Sequence, residues 1–434
     1  MPAQAGASLL EPTRFHAPDN PEVQPSSNDP RPPAANPPQP LLWDVFCQVV
    51  DNYGDLGVCR RLALHLAAQG HRVRLWVDDA MLMRRMAPDI PSAEDKRADG
   101  YVAGVRWLRW EPGRDTPGVH EPGDVVIEAF GCTLPQGFLR RMRQRAHQGK
   151  CPPSVWINLE HLSAQGYVER SHGLPSPQAS GQGRGLNKWF FFPGFTSHTG
   201  GLLRENGLLQ RQQAFDASAW LQALGISTAS GQERRVSMFA YPNAPLEALM
   251  GQLARSAQAH GHTQGPFSGR PVRLLITEGP LQDRARRWLQ EQAWAGEVLR
   301  ITLLPWLSSA DYDHLLWACE LNFVRGEDSL VRALWAGRPF VWQPYPQDDG
   351  AHADKLQAFW DAVPGADDPV LRLSVLPWWR AWNGVAPWPS SLAFPWSAAQ
   401  AWQQASLRSR SRLMEQAPMV EALTRFVKVR RAPG

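Results

Sequence analysis

Short apolar runs alternate with amphipathic stretches along most of the chain. The first run, residues 44–50, predicts a buried strand, and residues 51–57 after it form a polar segment with two glycines that predicts a loop. Apolar residues then recur at helical spacing over residues 58–69, and residues 71–77 are a second strand-like run. A strand, a helix and a strand in this order predict a βαβ unit, and therefore a parallel sheet.

The same alternation continues and then starts again in the second half of the chain. The segment from about residue 366 to residue 396 is rich in Trp and Pro and predicts irregular structure, whereas helical spacing resumes at Ala398. The runs that predict further strands are residues 125–130, 155–159, 236–241, 272–277, 299–304, 321–324 and 339–342. Those that predict helices between the later strands are residues 246–259, 311–319 and 328–336.

These elements predict two α/β domains, as expected for a chain of 434 residues. We place the first domain at residues 41–214 and the second at residues 215–397. A C-terminal helix, residues 398–430, is expected to complete the first domain. Residues 1–40 are rich in Pro, Ser, Asn and Gln and predict a disordered extension, either a passive tail or a docking tail.

Composition limits the classes of partner. With 45 Lys and Arg against 41 Asp and Glu, the net charge is only +4, which argues against nucleic acid as the main partner. Five cysteines without a CxxC pair indicate reduced thiols and no zinc motif. No apolar stretch reaches the roughly 18 residues of a membrane span. We therefore expect a cytoplasmic protein that has no membrane segment and no metal site.

The loop after the first strand is the first candidate for chemistry. Asp51 and Asp55 lie on either side of Gly54, at the end of a strand where ligands of open α/β sheets bind. The loop does not match the dinucleotide fingerprint G-x-G-x-x-G. Two carboxylates here indicate a catalytic or binding role, although one of them could simply cap the following helix.

The second candidate is Arg325–Ser329, between a predicted strand and a predicted helix. A helix N-terminus with a nearby hydroxyl and guanidinium is suited to a diphosphate. The acidic pair Glu327 and Asp328 repels phosphate, so at least one of them should face sugar or ribose hydroxyls. The alternative is an ordinary acidic first turn.

Aromatic residues at strand ends in the same half of the chain form the third candidate. They are Phe239 and Tyr241 at one strand end, with Trp306 and Tyr312 around the next loop. Such rings sandwich nucleobases, although aromatic residues more often belong to the core.

Longer segments carry a resemblance to a known family. They run in order from about residue 43 to residue 360, and they are long and unusual enough to be specific. The segments are Trp43–Cys47, Val50–Val58, Asn158–Ser163, His172–Pro177, Phe190–Phe195, Thr199–Glu205, Asn322–Ser329 and Ala351–Lys355. Together they resemble the bacterial protein-arginine rhamnosyltransferases called EarP.

The resemblance implies a GT-B glycosyltransferase, an α/β fold of two facing Rossmann-like domains with a cleft between them. The first domain would bind the acceptor and the second the nucleotide-sugar donor. The implied reaction is inverting, metal-independent transfer of rhamnose from dTDP-β-L-rhamnose to one arginine of translation elongation factor P. The implied partners are that factor and dTDP-rhamnose as co-substrate, with no further cofactor.

The resemblance also implies site residues. The positions that match the family's catalytic residues are Asp51, Asp55 and Glu327. The positions assigned to donor binding are Asn52, Tyr53, Gly54, Phe239, Tyr241, Trp306, Ser309, Tyr312, Arg325, Gly326, Asp328 and Ser329. Trp306 and Tyr312 stand where phenylalanine is usual, which keeps stacking possible. Ser309 stands where glutamine is expected, which puts one base contact in doubt.

Within this set we choose Asp55 as the base, with Asp51 holding the acceptor guanidinium or supporting the loop. A guanidinium is protonated at neutral pH, so its attack on an anomeric carbon requires a carboxylate that takes a proton. Arg325 and the amides around Ser329 would stabilise the departing dTDP. Glu327 would orient rhamnose hydroxyls.

Two alternative functions stay open. A GT-B transferase or sugar-nucleotide epimerase acting on a small molecule would keep the donor motif and turn over without a protein acceptor. A non-catalytic module that binds a nucleotide sugar or a translation factor would bind tightly without turnover. The carboxylates of the first loop argue against the second alternative.

Overall fold

Two parallel β-sheets form the centres of two α/β domains. Near-continuous apolar strands make both sheets buried on their two faces, as parallel sheets require. Each sheet carries helices that bury the apolar strands. The computed structural model describes residues 39–51, 53–89, 100–114, 120–149, 151–227, 233–258, 270–347, 350–363 and 368–432.

The first domain has an eight-stranded sheet. Its strands are β1 (Leu42–Cys47), β2 (Arg72–Val77), β3 (Gly100–Val102), β4 (Val105–Arg109), β5 (Val125–Ala129), β6 (Val155–Leu159), β7 (Pro175–Pro177) and β8 (Asn187–Phe191). The order is β3-β4-β2-β1-β5-β6-β8-β7, and only the edge strands β3 and β7 are antiparallel to their neighbours. The helices are α1 (Tyr53–Ala68), α2 (Ala80–Met86), α3 (Gln136–Gln148) and α4 (Tyr167–Ser171).

The second domain has a five-stranded sheet in the order β11-β10-β9-β12-β13, and every pairing is parallel. Its strands are β9 (Arg234–Met238), β10 (Val272–Ile276), β11 (Leu299–Leu303), β12 (Leu321–Arg325) and β13 (Phe340–Gln343). The helices from residue 208 onward are α5 (Leu208–Gln213), α6 (Ala217–Ala223), α7 (Leu246–Gln258), α8 (Leu281–Glu291), α9 (Ser309–Ala318), α10 (Gly326–Ala336), α11 (Ala351–Ala362), α12 (Pro369–Ser374), α13 (Leu376–Trp382), α14 (Ala399–Met414) and α15 (Met419–Arg431). Short 3-10 helices span Ala293–Glu297 and Trp396–Ala398.

The predicted parallel sheets are confirmed, and several predicted elements need correction. The segment predicted to be irregular contains α12 and α13, because its tryptophans pack as helix faces on the second core. Strands β3, β4, β7 and β8 are present where no strand was predicted. Two of these, β3 and β7, are three-residue strands at the sheet edges, where the apolar pattern is weak. Residues 1–38 lie outside the described part of the chain.

The prediction of one C-terminal helix that completes the first domain is wrong in part. The structure has two helices, α14 and α15, separated by a break at residues 415–418. Helix α15 packs in the core of the first domain through Leu423 and Val427, whereas α14 packs on the second domain through Trp402 and Leu413. The end of the chain therefore bridges both domains.

The loop predicted over residues 51–57 is shorter than expected, because α1 already begins at Tyr53. The backbone N–H of Gly54 donates to the Asp51 carbonyl at 2.7 Å. The Asp55 carboxylate accepts the backbone N–H groups of Val50 and Asp51, each at 2.8 Å. These bonds close the turn early and place Asp55 and Gly57 inside the helix.

Helices α1 and α10 contact each other and join the domains. Arg61 of α1 donates to Asp328 of α10 at 2.6 Å and to Glu205 at 2.7 Å. Arg332 of α10 donates to the other Asp328 oxygen at 2.9 Å. A Cβ at Gly57 would lie 3.1 Å from the Asp328 carboxylate, so glycine there permits the close approach of the two helices.

Candidate active site

An aromatic-lined cavity of about 580 Å³ lies between the two domains. We call it the aromatic cleft. From the first domain it is lined by residues in and next to α1 and α2: Asp51, Tyr53, Gly54, Arg60, Arg84, Arg85, Met86 and Pro88. From the second domain it is lined by Phe239, Thr277, Glu278, Trp306, Leu307, Ser308, Ser309, Asp311, Tyr312, Arg325, Asp328, Ser329 and Arg332.

A second cavity, of about 480 Å³, lies on the other side of Asp51. We call it the carboxylate pocket, because three carboxylates line it: Asp51, Asp55 and Glu327. His161 and Lys355 lie in the same wall. Asp51 and Gly54 line both cavities, so the two spaces meet at the start of α1.

Glycines allow the two domains to meet closely at this boundary. Gly326, the first residue of α10, has φ +67°, and a Cβ there would lie 2.9 Å from Asp51 Oδ2 and 3.2 Å from the Tyr241 hydroxyl oxygen. A Cβ at Gly54 would lie 2.5 Å from the same Asp51 oxygen. Side chains at either glycine would push the Asp51 carboxylate away from the second domain.

Asp51 bridges the domains through Tyr241, whose hydroxyl donates to Asp51 Oδ2 at 2.5 Å. Burial raises the pKa of Asp51 from 3.8 to about 6, against the opposing effects of Tyr241 and Arg325. Burial and the Asp51 charge both raise the pKa of the Tyr241 hydroxyl, so it stays protonated and donates. Tyr241 therefore holds Asp51 in place instead of facing either cavity.

Asp55 is buried, with 6% of its surface exposed. Its Oδ2 accepts both amides of the turn, from Val50 and Asp51. No residue that the structure describes forms a hydrogen bond to Oδ1, and Asp55 lines the carboxylate pocket. One oxygen thus anchors the side chain, and the other can accept a proton or a hydrogen bond from a ligand in that pocket.

Glu327 is held from three directions. Its Oε1 accepts from Lys355 Nζ at 2.8 Å and lies 3.2 Å from His161 Nδ1, and its Oε2 accepts the Leu162 amide at 2.9 Å. Although burial alone would raise its pKa, Lys355 and His161 lower the pKa of Glu327 to about 2. The His161 ring also stacks on Phe130, with centroids 4.5 Å apart. Glu327 is therefore a fixed carboxylate and a poor proton donor.

Arg325, the residue before α10, lies over two aromatic rings. Its guanidinium carbon is 4.6 Å from the Phe239 centroid and 4.5 Å from the Tyr241 centroid. Within the described ranges, no carboxylate forms an ion pair with Arg325. The Ser329 hydroxyl donates back to the Arg325 carbonyl. A guanidinium placed at a helix N-terminus and left without a counterion suits a diphosphate.

Asp328 differs from its neighbour Arg325, because its carboxylate is fully engaged. Arg332 and Arg61 outweigh burial and hold the pKa of Asp328 below its usual range. Asp328 lines the aromatic cleft, but its charge is paired with arginines at the interface of α1 and α10.

The far end of the aromatic cleft carries the remaining rings. Phe239 and Tyr312 meet edge to face at 5.6 Å. Trp306 is 38% exposed, and contacts from the first domain reach it: the Tyr53 ring at 4.8 Å and the Arg85 guanidinium at 4.5 Å. These rings give the cleft apolar faces against which a planar ligand can pack.

Apart from Asn52, which lies outside the described residues, the predicted residues line the aromatic cleft or the carboxylate pocket, except Tyr241, which lines neither. The sequence reasoning assigned no role to His161 or Lys355, although both belong to segments that carried the family resemblance. It also missed Arg60 and Arg85, because their packing against the second domain leaves no local pattern. Among the described residues, no group of three or more His, Cys, Asp or Glu side chains is arranged to hold a metal ion.

Comparisons with known proteins fit this geometry. The profile of the family described as elongation factor P rhamnosyltransferase EarP matches residues 43–428. The chain belongs to this family. A protein-arginine rhamnosyltransferase of Pseudomonas putida is 40% identical over 402 residues, which cover 89% of this chain and 98% of the relative. One from Neisseria meningitidis is 34% identical over 344 residues, covering 77% and 81%.

A solved structure extends the likeness to the fold. It concerns EarP-mediated arginine glycosylation of translation elongation factor EF-P, and it is 27% identical with a TM-score of 0.54. The match covers 90% of this chain and 99% of that one. The EarP family member described here therefore has the GT-B fold and is a glycosyltransferase by family. None of its described helices is both long and apolar enough to span a membrane.

Proposed function

We propose that this protein transfers rhamnose from dTDP-β-L-rhamnose to an arginine side chain of elongation factor P, with inversion and without a metal ion. The observation that carries the proposal is the meeting of two cavities at Asp51 and Gly54. A transferase needs a donor site and an acceptor site that share one boundary. The family relatives named for arginine rhamnosylation support the choice of sugar and acceptor.

The aromatic cleft has the chemistry of a nucleoside diphosphate site. Rings at Trp306, Tyr312 and Phe239 offer stacking faces to a base. Arg325 and the N-terminus of α10 offer positive charge to the diphosphate. The anomeric carbon of a donor bound in this way would lie near Gly54 and Asp51, at the boundary of the two cavities.

The carboxylate pocket has the chemistry of a guanidinium site. An acceptor arginine entering it would meet the ionised Glu327, the half-buried Asp51 and Asp55, whose Oδ1 accepts no hydrogen bond from the described residues. In a single displacement, the guanidinium nitrogen forms a bond to the anomeric carbon while the bond to the diphosphate oxygen breaks. The nitrogen's proton passes to Asp55, and the electron pair leaves on dTDP, where Arg325 stabilises it.

Glu327 has a supporting role in this scheme. A diphosphate leaves without protonation, so the reaction needs no acid from Glu327, and its low pKa suits that assignment. The carboxylate would orient rhamnose hydroxyls where the sugar reaches past Asp51 into the carboxylate pocket. The proposal assigns no metal and no cofactor, since Arg325 and the helix N-terminus supply the positive charge. Because the acceptor is a translation factor, the proposal places the enzyme in the bacterial cytoplasm.

The test is the intact mass of elongation factor P after incubation with this protein and dTDP-rhamnose. We expect an increase of one rhamnosyl unit, located on one arginine and unaffected by a chelator. Replacing that arginine by lysine in the acceptor is the matched control and should abolish the increase. Donor turnover without any protein acceptor would instead support a small-molecule enzyme. Donor binding without turnover would support a binding module.

A further inference from the structure

Arg60 lies on the face of α1 that looks into the aromatic cleft. Its Nη1 donates to the hydroxyl oxygen of Ser309, at the start of α9, at 3.1 Å. Both side chains also line a cavity of about 570 Å³ behind the cleft, so the pair forms part of the partition between the two spaces. A side chain from the first domain thus reaches the base end of the proposed donor site.

The surroundings of Arg60 give it no structural partner of opposite charge. In the described part of the chain, no carboxylate lies within ion-pair distance of its guanidinium. Burial and the nearby Arg332 lower the pKa of Arg60, while the attracting carboxylate of Asp328 is already bound to Arg332 and Arg61. The adjacent Arg61, by contrast, is held by both Glu205 and Asp328.

Among the residues that the structure describes, the half-buried Arg60 guanidinium bonds to a neutral hydroxyl alone, and such a bond does little for the stability of the unliganded protein. Arg60 lines a cavity that also contains the rings of Phe239, Trp306 and Tyr312 and charged side chains such as Glu278. The N–H donors that the Ser309 bond does not use are complementary to the acceptor atoms of a ligand in that cavity. The diphosphate has a guanidinium of its own in the cleft, that of Arg325 over the Phe239 ring.

We infer that Arg60 and Ser309 together recognise the pyrimidine base of the donor through hydrogen bonds. The inference rests on the proposed function, since it takes a thymine nucleotide as donor. The base would present a ring carbonyl to the Arg60 guanidinium and its N3–H to the Ser309 hydroxyl oxygen. That oxygen has two lone pairs, so it accepts from the base and from Arg60 together. Arg60 is thus a specificity-determining residue that the first domain contributes to the donor site.

The experiment measures the binding of thymidine and of dTDP by titration calorimetry, in wild type, Arg60→Met and Arg60→Lys. Methionine keeps most of the apolar stem and removes the guanidinium. We expect Arg60→Met to weaken both ligands by the same factor, about tenfold or more. Lysine should restore little, because a single ammonium does not reproduce the planar donor pair. Arg211→Met, at an arginine outside the aromatic cleft that donates to the Asn206 carbonyl, is the matched control.

Melting temperature separates this role from a structural one, and neither Arg60 variant should melt at a lower temperature than wild type. Unchanged thymidine affinity in Arg60→Met would overturn the inference. So would a loss confined to dTDP and recovered by lysine, which would indicate a phosphate contact. Arg60-dependent thymidine binding in a protein that fails to modify elongation factor P would overturn the proposed function alone. Transfer to elongation factor P with unaltered binding in Arg60→Met would overturn this inference alone.

Discussion

The junctions of β1 with α1 and of β12 with α10 occupy equivalent places in the two domains and face each other across the site. Both are tight strand-to-helix turns with a glycine at the point of closest approach, Gly54 in one and Gly326 in the other. Their charges differ. The first presents Asp51 and Asp55, and the second presents Arg325, which forms no ion pair with any carboxylate of the described segments.

The two junctions differ in whether ion pairs neutralise their carboxylates. At β12–α10 both acidic residues are neutralised, Glu327 by Lys355 and His161, and Asp328 by two arginines. At β1–α1 no ion pair within the described residues neutralises Asp51 or Asp55. The same strand–turn–helix arrangement therefore carries a positive charge for the leaving diphosphate in one domain. In the other domain it carries carboxylates that can take a proton from the acceptor.

The largest expected effect comes from Asp55→Asn, which removes the base from the first junction. Removing a general base commonly lowers the rate by about 10²–10⁴. Transfer at saturating donor should fall by that factor, whereas dTDP-rhamnose affinity should stay near the wild-type value. An asparagine Oδ1 can still accept the turn amides that Asp55 Oδ2 accepts now, so the fold should be retained.

The measurement combines calorimetry and single-turnover transfer on the same preparation. If donor affinity falls in proportion to the rate, Asp55 belongs to the donor site and the assignment of the base is wrong. Normal turnover would move the proton to Asp51 or Glu327.

A smaller effect is expected from Gly326→Ala, which separates the two junctions. The new Cβ would lie 2.9 Å from Asp51 Oδ2 and would occupy a backbone conformation with φ +67°. We expect transfer to fall at least tenfold, since Asp51 and Tyr241 must move apart, in addition to the roughly 1–2 kcal/mol of left-handed strain. Gly225→Ala is the matched control, because Gly225 has φ +73° and open space around it.

Transfer rate and melting temperature should be measured for both glycine variants. The control should lose stability by a similar amount and keep its rate. Equal rates in the two variants would show that the close contact of the junctions is not needed for transfer.

The alternation of apolar runs predicted the alternation of strands and helices well, because buried parallel strands need uninterrupted apolar residues. Strand β6 has the predicted bounds, and β10 ends one residue before the end of its predicted run. The start of α1 was predicted too late, since the bonds from Val50 and Asp51 to the Asp55 carboxylate are not visible in a hydrophobic pattern. Local patterns specify element type better than element ends.

The residues of the candidate site were likewise predictable only where they form a local pattern in the sequence. Asp51 and Asp55 were found because two carboxylates beside a glycine after a strand form a local pattern. The partners of Glu327 come from residues 161 and 355, far apart in the chain, and only folding brings them to one carboxylate. The Arg60 contact with Ser309 spans 249 positions and is likewise not encoded locally.

Trp306→Ala tests whether the aromatic rings of the second domain bind the base of the donor. Loss of a stacking ring should weaken dTDP binding by roughly 1–3 kcal/mol, as seen for bases on aromatic side chains. Trp294→Ala is the matched control, since Trp294 is 41% exposed, compared with 38% for Trp306, and lies outside the aromatic cleft. Calorimetry with dTDP measures both. Equal affinity in the two variants would place the base elsewhere in the cleft.

The smallest expected effect concerns folding stability, which is lowered because the charged Asp51 carboxylate of the first junction is partly removed from water. The folded protein raises the pKa of Asp51 from 3.8 to about 6, so between these values the folded state binds more protons than the unfolded state. Stability contributed by this group therefore falls as the pH rises through that window, and the full loss is present above pH 6. Asp51→Asn removes the charge and should stabilise the protein at pH 8 by about 1–2 kcal/mol, less than the roughly 3 kcal/mol of the full pKa difference because Asp51 is partly exposed.

At pH 4 the folded wild type already carries the proton, so the gap in melting temperature between wild type and Asp51→Asn should nearly vanish. Tyr241→Phe sharpens the test, because the Tyr241 hydroxyl donates to Asp51 and lowers its pKa. Without that bond the charged carboxylate is less favourable still, so Tyr241→Phe should melt below wild type at pH 8 and approach it at pH 4. A gap for Asp51→Asn that is the same at both pH values would show that packing, and not the buried charge, sets the difference. The charge of Asp51 would then cost the protein no stability. The first junction would differ from the second, with its neutralised carboxylates, only in its catalytic role.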